Sequence, residues 1–294
     1  MSTQKADNAA RKPETAMAKW RFRLSKSPAR IPVMWLRHRG LRPSDVFFST
    51  YPRSGTTWTR FTMFEILTGE SATFESVNSL MMGVGMQDRA RSVLPNHGRL
   101  IGTHEPFRPD YKRSIYLVRD VRDVILSEYA FMTALDRFSG NMDQFLETFF
   151  RGKVTGYGSW PRHVASWLNC PYYGTDQLLV MRYEDLRKDP ENGFTRMLQF
   201  GGLERDPEAV RLAIANNSVE QMRAKELQSP RKATLRGQFI RAGKVKGWQG
   251  KFTQAQLQLI EHHSGDMMDQ LGYARSANEA KPAPAERILA VNRG

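Results

Sequence analysis

Four short apolar runs alternate along the chain with longer stretches of helical spacing. Val46-Phe47-Phe48-Ser49-Thr50 reads as a buried strand that stops at Tyr51-Pro52. Gly98 to Thr103, Arg113 to Val118 and Gln177 to Met181 read as three more strands. From Thr56 to Leu67 apolar residues return at Trp58, Phe61, Phe64 and Leu67, the repeat of one helix face. Asp120 to Phe131, Asn192 to Phe200 and Gln254 to Leu271 read as further helices. Strands interleaved with helices in this way predict a single α/β domain with a central, mainly parallel sheet flanked by helices. No internal repeat is visible. The pattern begins near Asp45 and ends near residue 274, so a folded domain is expected over 41–274, with a basic and partly disordered leader at 1–40 and a Pro-containing tail at 275–294.

Composition leaves that picture standing. A chain of 294 residues that is 40% hydrophobic can bury a core. The single cysteine, Cys170, excludes an internal disulfide framework and Cys-rich zinc modules. No apolar run approaches the ~18 residues of a spanning helix. The first residues lack the apolar core of a secretion signal, which makes a reducing, cytoplasmic setting the expectation. Charge changes more. A net +14 invites nucleic acid as a partner, yet residues 1–40 alone carry ten Lys/Arg against two acids, +8 of that excess, leaving +6 for the rest. Within the leader, Trp20-Arg21-Phe22-Arg23-Leu24 alternates apolar and basic residues, a pattern suited to peripheral contact with a membrane or a partner.

The segment Tyr51-Pro52-Arg53-Ser54-Gly55-Thr56-Thr57-Trp58 joins a predicted strand to a predicted helix and carries the most chemistry. Gly55 lets the backbone turn closely around a ligand. The amides of Gly55, Thr56 and Thr57 would point from a helix N-terminus at an anion, where the helix dipole also favours negative charge. Arg53 adds a cation, and the hydroxyls of Ser54, Thr56 and Thr57 add donors. An ordinary capped helix start would use the same residue types. The loop of nucleotide triphosphatases is a poor match: the first Gly is missing and Thr56 stands where that signature needs Lys, which disfavours a magnesium-dependent kinase.

The segment resembles the 5′-phosphosulfate loop of cytosolic-type sulfotransferases, with Arg53 where that family usually has Lys. Other blocks follow in the family's order. Arg99 to Phe107, with Thr103-His104-Glu105-Pro106, resembles the strand bearing the family's catalytic His. Arg119 with Ser127 eight residues on resembles its 3′-phosphate element; an Arg at a strand end can hold phosphate bidentately. Gly152 to Trp167, including His163, resembles a block beside the acceptor pocket. Tyr183 in Met181-Arg182-Tyr183-Glu184 resembles the Tyr near the adenine, and Arg241-Ala242-Gly243 resembles the late loop that closes on the 3′-phosphate. The resemblance spans about residues 46 to 272. It implies transfer of a sulfuryl group from 3′-phosphoadenosine 5′-phosphosulfate (PAPS) to a hydroxyl or amine of a small-molecule acceptor, releasing 3′-phosphoadenosine 5′-phosphate (PAP), without a metal. It further implies His104 as general base, Arg53 as the cation on the transferred group, Trp58 stacked on adenine, and Ser54 to Thr57, Arg119, Ser127, Tyr183, Arg241 and Gly243 around the donor.

Three departures accompany the match: Arg53 for Lys, Gly102 where some relatives have Lys, and Ala242 in the late loop, for which Lys244 or Lys246 would compensate. They keep open a nucleotide-anion-binding protein that has lost catalysis. A basic nucleic-acid-binding protein is the other alternative, although no recognisable module with a basic, aromatic-bearing face is present beyond the leader. On the acceptor side, the Met- and Gly-rich run Leu80 to Met86 suits an adaptable apolar pocket; Met81 and Met82, with Phe107, Phe131, Phe138, Tyr157 and His163, are the expected lining. Residues 225–250, rich in Lys, Arg and Gly, are expected to form a lid. A short C-terminal motif that makes dimers in the family is broken at Gln254, so the oligomeric state stays open.

Overall fold

The computed structural model describes residues 30–229 and 243–276. Helix α1 (Arg30–Arg37) precedes β1 (Val46–Thr50), whose apolar residues are all buried. α2 (Thr56–Thr68), α3 (Val77–Leu80) and two three-residue strands, β2 (Met81–Gly83) and β3 (Ser92–Leu94), lead to β4 (Gly98–Thr103). Next come β5 (Ser114–Val118), α4 (Val121–Ala134), α5 (Met142–Phe150), α6 (Trp160–Leu168), β6 (Leu178–Arg182) and α7 (Tyr183–Lys188). The chain closes with α8 (Pro190–Phe200), α9 (Pro207–Asn216), α10 (Val219–Gln228) and α11 (Gln254–Gln270). No helix among the described residues is long and apolar enough to cross a membrane.

The strands lie in the order β2-β4-β1-β5-β6, all parallel, with β3 added antiparallel to the start of β4. The register aligns Ser49 with Thr103 on one side of β1 and Thr50 with Leu117 on the other. The C-terminal ends of β1, β4, β5 and β6 therefore share one edge, which is where open parallel sheets hold ligands.

Both faces of the sheet are covered, which explains strands that are apolar throughout rather than alternating. Phe47, Tyr116 and Val118 point into one core with Trp160, Val164 and Trp167 of α6. Phe48, Ile115 and Leu117 point into the other with Phe194, Met197 and Leu198 of α8. The first core is strongly aromatic: Trp167 stacks on Tyr116 with centroids 5.0 Å apart and planes at 10°.

Residues 30–40 pack on the body. Met34 is buried, His38 Nε2 lies 2.8 Å from the Tyr111 hydroxyl, and Gln87 donates to the Arg37 carbonyl at 2.9 Å. Gly85 has φ +97° and lies under Arg37; a Cβ there would sit 2.5 Å from Arg37 Nε.

Candidate active site

A cleft of about 850 Å³ opens across the C-terminal ends of the strands. Five arginines line it (Arg37, Arg53, Arg119, Arg137 and Arg187) against two glutamates, Glu105 and Glu128. That balance suits a ligand with several negative charges.

One half of the cleft is built on the turn between β1 and α2. Gly55 takes φ +101° and is the residue before the helix, so no side chain caps the first-turn amides. Its missing Cβ is needed twice, since a methyl there would lie 2.5 and 2.7 Å from Cδ2 and Cε2 of Tyr183. Arg53 itself adopts φ +67°, a conformation a bulky residue rarely takes and one that marks functional turns.

Arg119, just after β5, staples this half together. Its guanidinium lies 4.6 Å over the Tyr183 ring and donates to the carbonyl of Arg53 at 3.1 Å and of Lys244 at 2.9 Å. The Tyr183 hydroxyl donates to the Gly243 carbonyl at 3.1 Å. Asp123 accepts from the amides of Lys246 and Trp248, and burial raises its carboxyl pKa to about 6 despite the nearby Arg119. The returning segment 243–248 is thus fixed beside the turn between β1 and α2. Arg119 Nε, Trp58 Nε1 and Ser54 Oγ are buried without a hydrogen-bond partner among the described residues, a cost that a ligand rich in oxygens would relieve. Trp58 lies edge-on to Phe194 at 5.4 Å, and the Arg187 guanidinium sits 4.7 Å over its ring.

His104 follows β4 and reaches back to β1. Nδ1 lies 2.7 Å from the carbonyl oxygen of Thr50, so Nδ1–H donates and Nε2 keeps its lone pair in the neutral ring. Burial lowers the imidazole pKa; the Thr50 carbonyl opposes that shift, and the charges of Arg60 and Arg53 add to it. Arg53 donates from Nε to Ser127 Oγ at 3.0 Å and lies 4.6 Å over the Phe131 ring, which puts it between the loop and the other half of the cleft.

That other half draws its wall from distant segments: Val33 and Met34 of α1, Met86, Glu128 and Met132 of α4, and Tyr157. Tyr157 tilts over His104 with ring centroids 5.5 Å apart.

The structure thus brings together Arg53, Gly55, Thr56, Thr57, Trp58, His104, Arg119, Ser127, Phe131, Tyr157, Tyr183 and Gly243 around one cleft. Ser54 is buried beside it. Arg241 lies outside the described residues, as do Ala242 and residues 230–242 of the expected lid; residues 225–228 of that stretch belong to α10.

Five expected acceptor residues lie elsewhere. Met81 and Met82 are buried in β2, and it is Gly85 and Met86 of the same run that reach the cleft. Phe107 packs edge-on against Trp167 and Tyr172. His163 is buried, accepts at Nδ1 from the Tyr116 hydroxyl and donates from Nε2 to the His104 carbonyl, each at 3.0 Å, and its pKa is pushed down to about 3 by burial. It holds the backbone of His104 rather than lining the pocket. Phe138, also expected there, packs against Tyr129 and Phe145.

Sequence reasoning missed Glu105, Glu128, Arg137 and Arg187. Glu128 had a local signal: it follows Ser127 and lies one helical turn before Phe131 and Met132, so it shares their helix face. Arg187 lies one turn along α7 from Tyr183.

Comparison with known proteins agrees with this arrangement. The family profile described as the sulfotransferase domain matches residues 43–272. Mouse Sulfotransferase 1A1 is 31% identical over 255 residues, covering 77% of this chain and 85% of that protein. Human Sulfotransferase 2B1 is 30% identical over 249 residues, covering 75% of this chain and 65% of that protein. Among solved structures, retinol dehydratase in a complex with retinol and PAP superposes with a TM-score of 0.66 at 21% identity, covering 82% of this chain and 86% of that one. Mouse sulfotransferase SULT7A1 complexed with PAP gives 0.64 at 21% identity, covering 83% and 90%. At such identity the superpositions establish the α/β fold, while the profile over most of the chain and the relatives above it establish more: this chain belongs to the sulfotransferase family.

Proposed function

We propose that the enzyme moves the sulfuryl group of PAPS to a hydroxyl or amine of a small-molecule acceptor, with His104 as general base. The observation that carries this reading is the junction of the two halves. His104, with an available Nε2, and Arg53, spanning from loop to acceptor wall, line the same cleft as the uncapped amides of α2. The donor fits the residues present: orphaned Arg119 Nε and Trp58 Nε1, a turn open only to glycine, and an excess of arginines.

The donor supplies an activated sulfonate on a phosphate leaving group. The chain's own residues supply position and charge. The amides of Gly55, Thr56 and Thr57 hold the 5′ end, and Arg119 and Ser127 take the 3′-phosphate. His104 Nε2 accepts the acceptor's proton as the new bond to sulfur forms and the bond from sulfur to the phosphate oxygen breaks. Arg53 holds the sulfonate oxygens and offsets the charge left on PAP. Its planar fork fixes two oxygens at once, where a lysine would offer a point charge. Met86, Phe131, Met132 and Tyr157 offer the acceptor a largely apolar wall. Retinol and androsterone occupy solved structures of retinol dehydratase, a fold relative, so lipophilic alcohols belong in the first acceptor screen.

The test is a labelled-donor screen over phenols, steroids, amines and sugars, preceded by thermal shifts with PAP and with ATP plus magnesium. Stabilisation by ATP alone would overturn the reading. His104→Ala should lower turnover by ~10²–10⁴-fold while PAP affinity is kept; near-normal turnover would remove His104 as the base. Because its pKa lies below the ordinary 6.5, the ring stays neutral into mild acid, and the acid limb of kcat/KM should fall below pH 6.5.

A further inference from the structure

We infer that the outer face of α1 docks on an anionic lipid surface, at the mouth of the cleft. The helix is inverted in its use of side chains. Its inner side carries buried Met34 and the polar ties of residues 37 and 38, with Arg37 bonded to the Val84 carbonyl and His38 to Tyr111. Its outer side carries Ile31, Pro32, Trp35 and Leu36, two pairs spaced by four residues that form one continuous face. Ile31 is 71% exposed, Trp35 63% and Leu36 59%. These are not scattered residues. Of nine exposed large hydrophobic residues among those described, four lie on α1 (with Val33 at 46%) and a fifth, Met86 at 49%, lies beside Gly85, which touches Arg37. Contiguous exposed apolar groups of this kind mark an interaction surface.

Charge selects the partner. Residues 15–44 contain eight Lys/Arg and no Asp or Glu. Arg39 lies 4.3 Å over the Trp35 ring, so a cation and an aromatic plane sit together at the edge of the apolar face. Tryptophan with arginine beside an exposed aliphatic face is the chemistry of the headgroup boundary of an anionic bilayer. Val33, Met34 and Arg37 of the same helix line the acceptor half of the cleft. A membrane on the outer face would therefore lie beside the acceptor's entrance, and a lipophilic acceptor could pass from lipid to cleft along α1. The docking itself does not depend on the sulfotransferase reading.

The experiment is flotation of the full chain with phosphatidylcholine vesicles, with and without phosphatidylglycerol. Binding is expected on the anionic vesicles only, weakening with added salt. The triple variant Ile31→Ser, Trp35→Ser, Leu36→Ser should lose binding by about tenfold or more, and Arg39→Glu should weaken it, while both keep the parent's melting temperature and PAP affinity. No flotation, equal binding to both vesicle types, or undiminished binding by the triple variant would overturn the proposal. So would a concentration-dependent dimer abolished by the triple variant, which would assign the face to a second copy of the chain.

Discussion

The two halves of the cleft are built in opposite ways. The proposed donor half comes from strand ends and the residues that directly follow them: Arg53 to Trp58 after β1, Arg119 after β5 and Tyr183 after β6. The proposed acceptor half is assembled from α1, the turn after β2, the middle of α4 and the 155–157 turn, segments spread between residues 33 and 157. Backbone geometry dominates the first, through Gly55, the uncapped amides and the carbonyls held by Arg119 and Tyr183. Side-chain shape and charge dominate the second. A device of backbone groups at strand ends is rigid and intolerant of change, whereas a wall of side chains from helices and turns can vary while the sheet stays intact.

The largest break in that contrast should come from Gly55→Ala. The added methyl meets the Tyr183 ring at 2.5 Å and forces φ +101° on a residue with a Cβ. PAP affinity should fall by roughly 100-fold or more, read by calorimetric titration, with the fold retained by circular dichroism. If alanine is tolerated, the donor half is not a backbone device. Arg119→Ala comes next. It removes the staple between Arg53 and Lys244 as well as the proposed phosphate ligand, and PAP affinity should fall by about 10–100-fold. The dependence of affinity on salt should become shallower in the same titration. An unchanged affinity would take Arg119 out of the site.

The same contrast explains what could be read from the chain alone. The four long strands were legible to within a residue because burial on both faces leaves them apolar throughout, and the donor loop was legible because its ligands are consecutive. β2 and β3, at three residues each, are too short to carry a periodic signal. Met81 and Met82 pointed to the acceptor by composition, but pairing with Leu100 and Ile101 of β4 draws both into the sheet, and only the turn after it emerges in the cleft. His163 and Phe107 lie near the site in space yet serve the aromatic core, a choice set by neighbours such as Tyr116 and Trp167 that no local pattern reveals. Glu128 and Glu105 reach the cleft through the packing of whole elements. The departure at Arg53 was visible, but its support by Ser127 and Phe131 was not.

A smaller effect should sharpen the contrast from the acceptor side. Met86 lines the cleft, is half exposed and is absent from the donor loop. Met86→Ala should raise the acceptor's KM by about threefold to tenfold through lost apolar contact, and the PAP affinity should stay within about twofold. A parallel loss of donor affinity would mean the two halves are not separable.

The finest test concerns what lies behind the donor half. Glu184 follows Tyr183, accepts from the Asp120 amide at 3.1 Å and from the Tyr273 hydroxyl at 2.7 Å, and burial raises its pKa to about 7, with the charge of Asp120 adding to the shift. A folded-state pKa above the ordinary 4.5 means that the native protein holds this proton more tightly than the unfolded chain. Stability is therefore highest at low pH, as far as this group is concerned, and falls as pH rises from about 4.5 to about 7, after which the penalty is constant. The change amounts to roughly 3 kcal/mol. Asp123, raised to about 6 by burial, adds a drop of the same sign between about 4 and 6. Glu184→Gln removes the larger of the two, so its melting temperature should vary less between pH 5 and pH 8 than the parent's. The acceptor half should be indifferent to this change, with the KM for acceptor unaltered at pH 7. A parent whose melting temperature rises through that window would show that Glu184 is ionised and stabilised in place, its buried hydrogen bonds outweighing the loss of water.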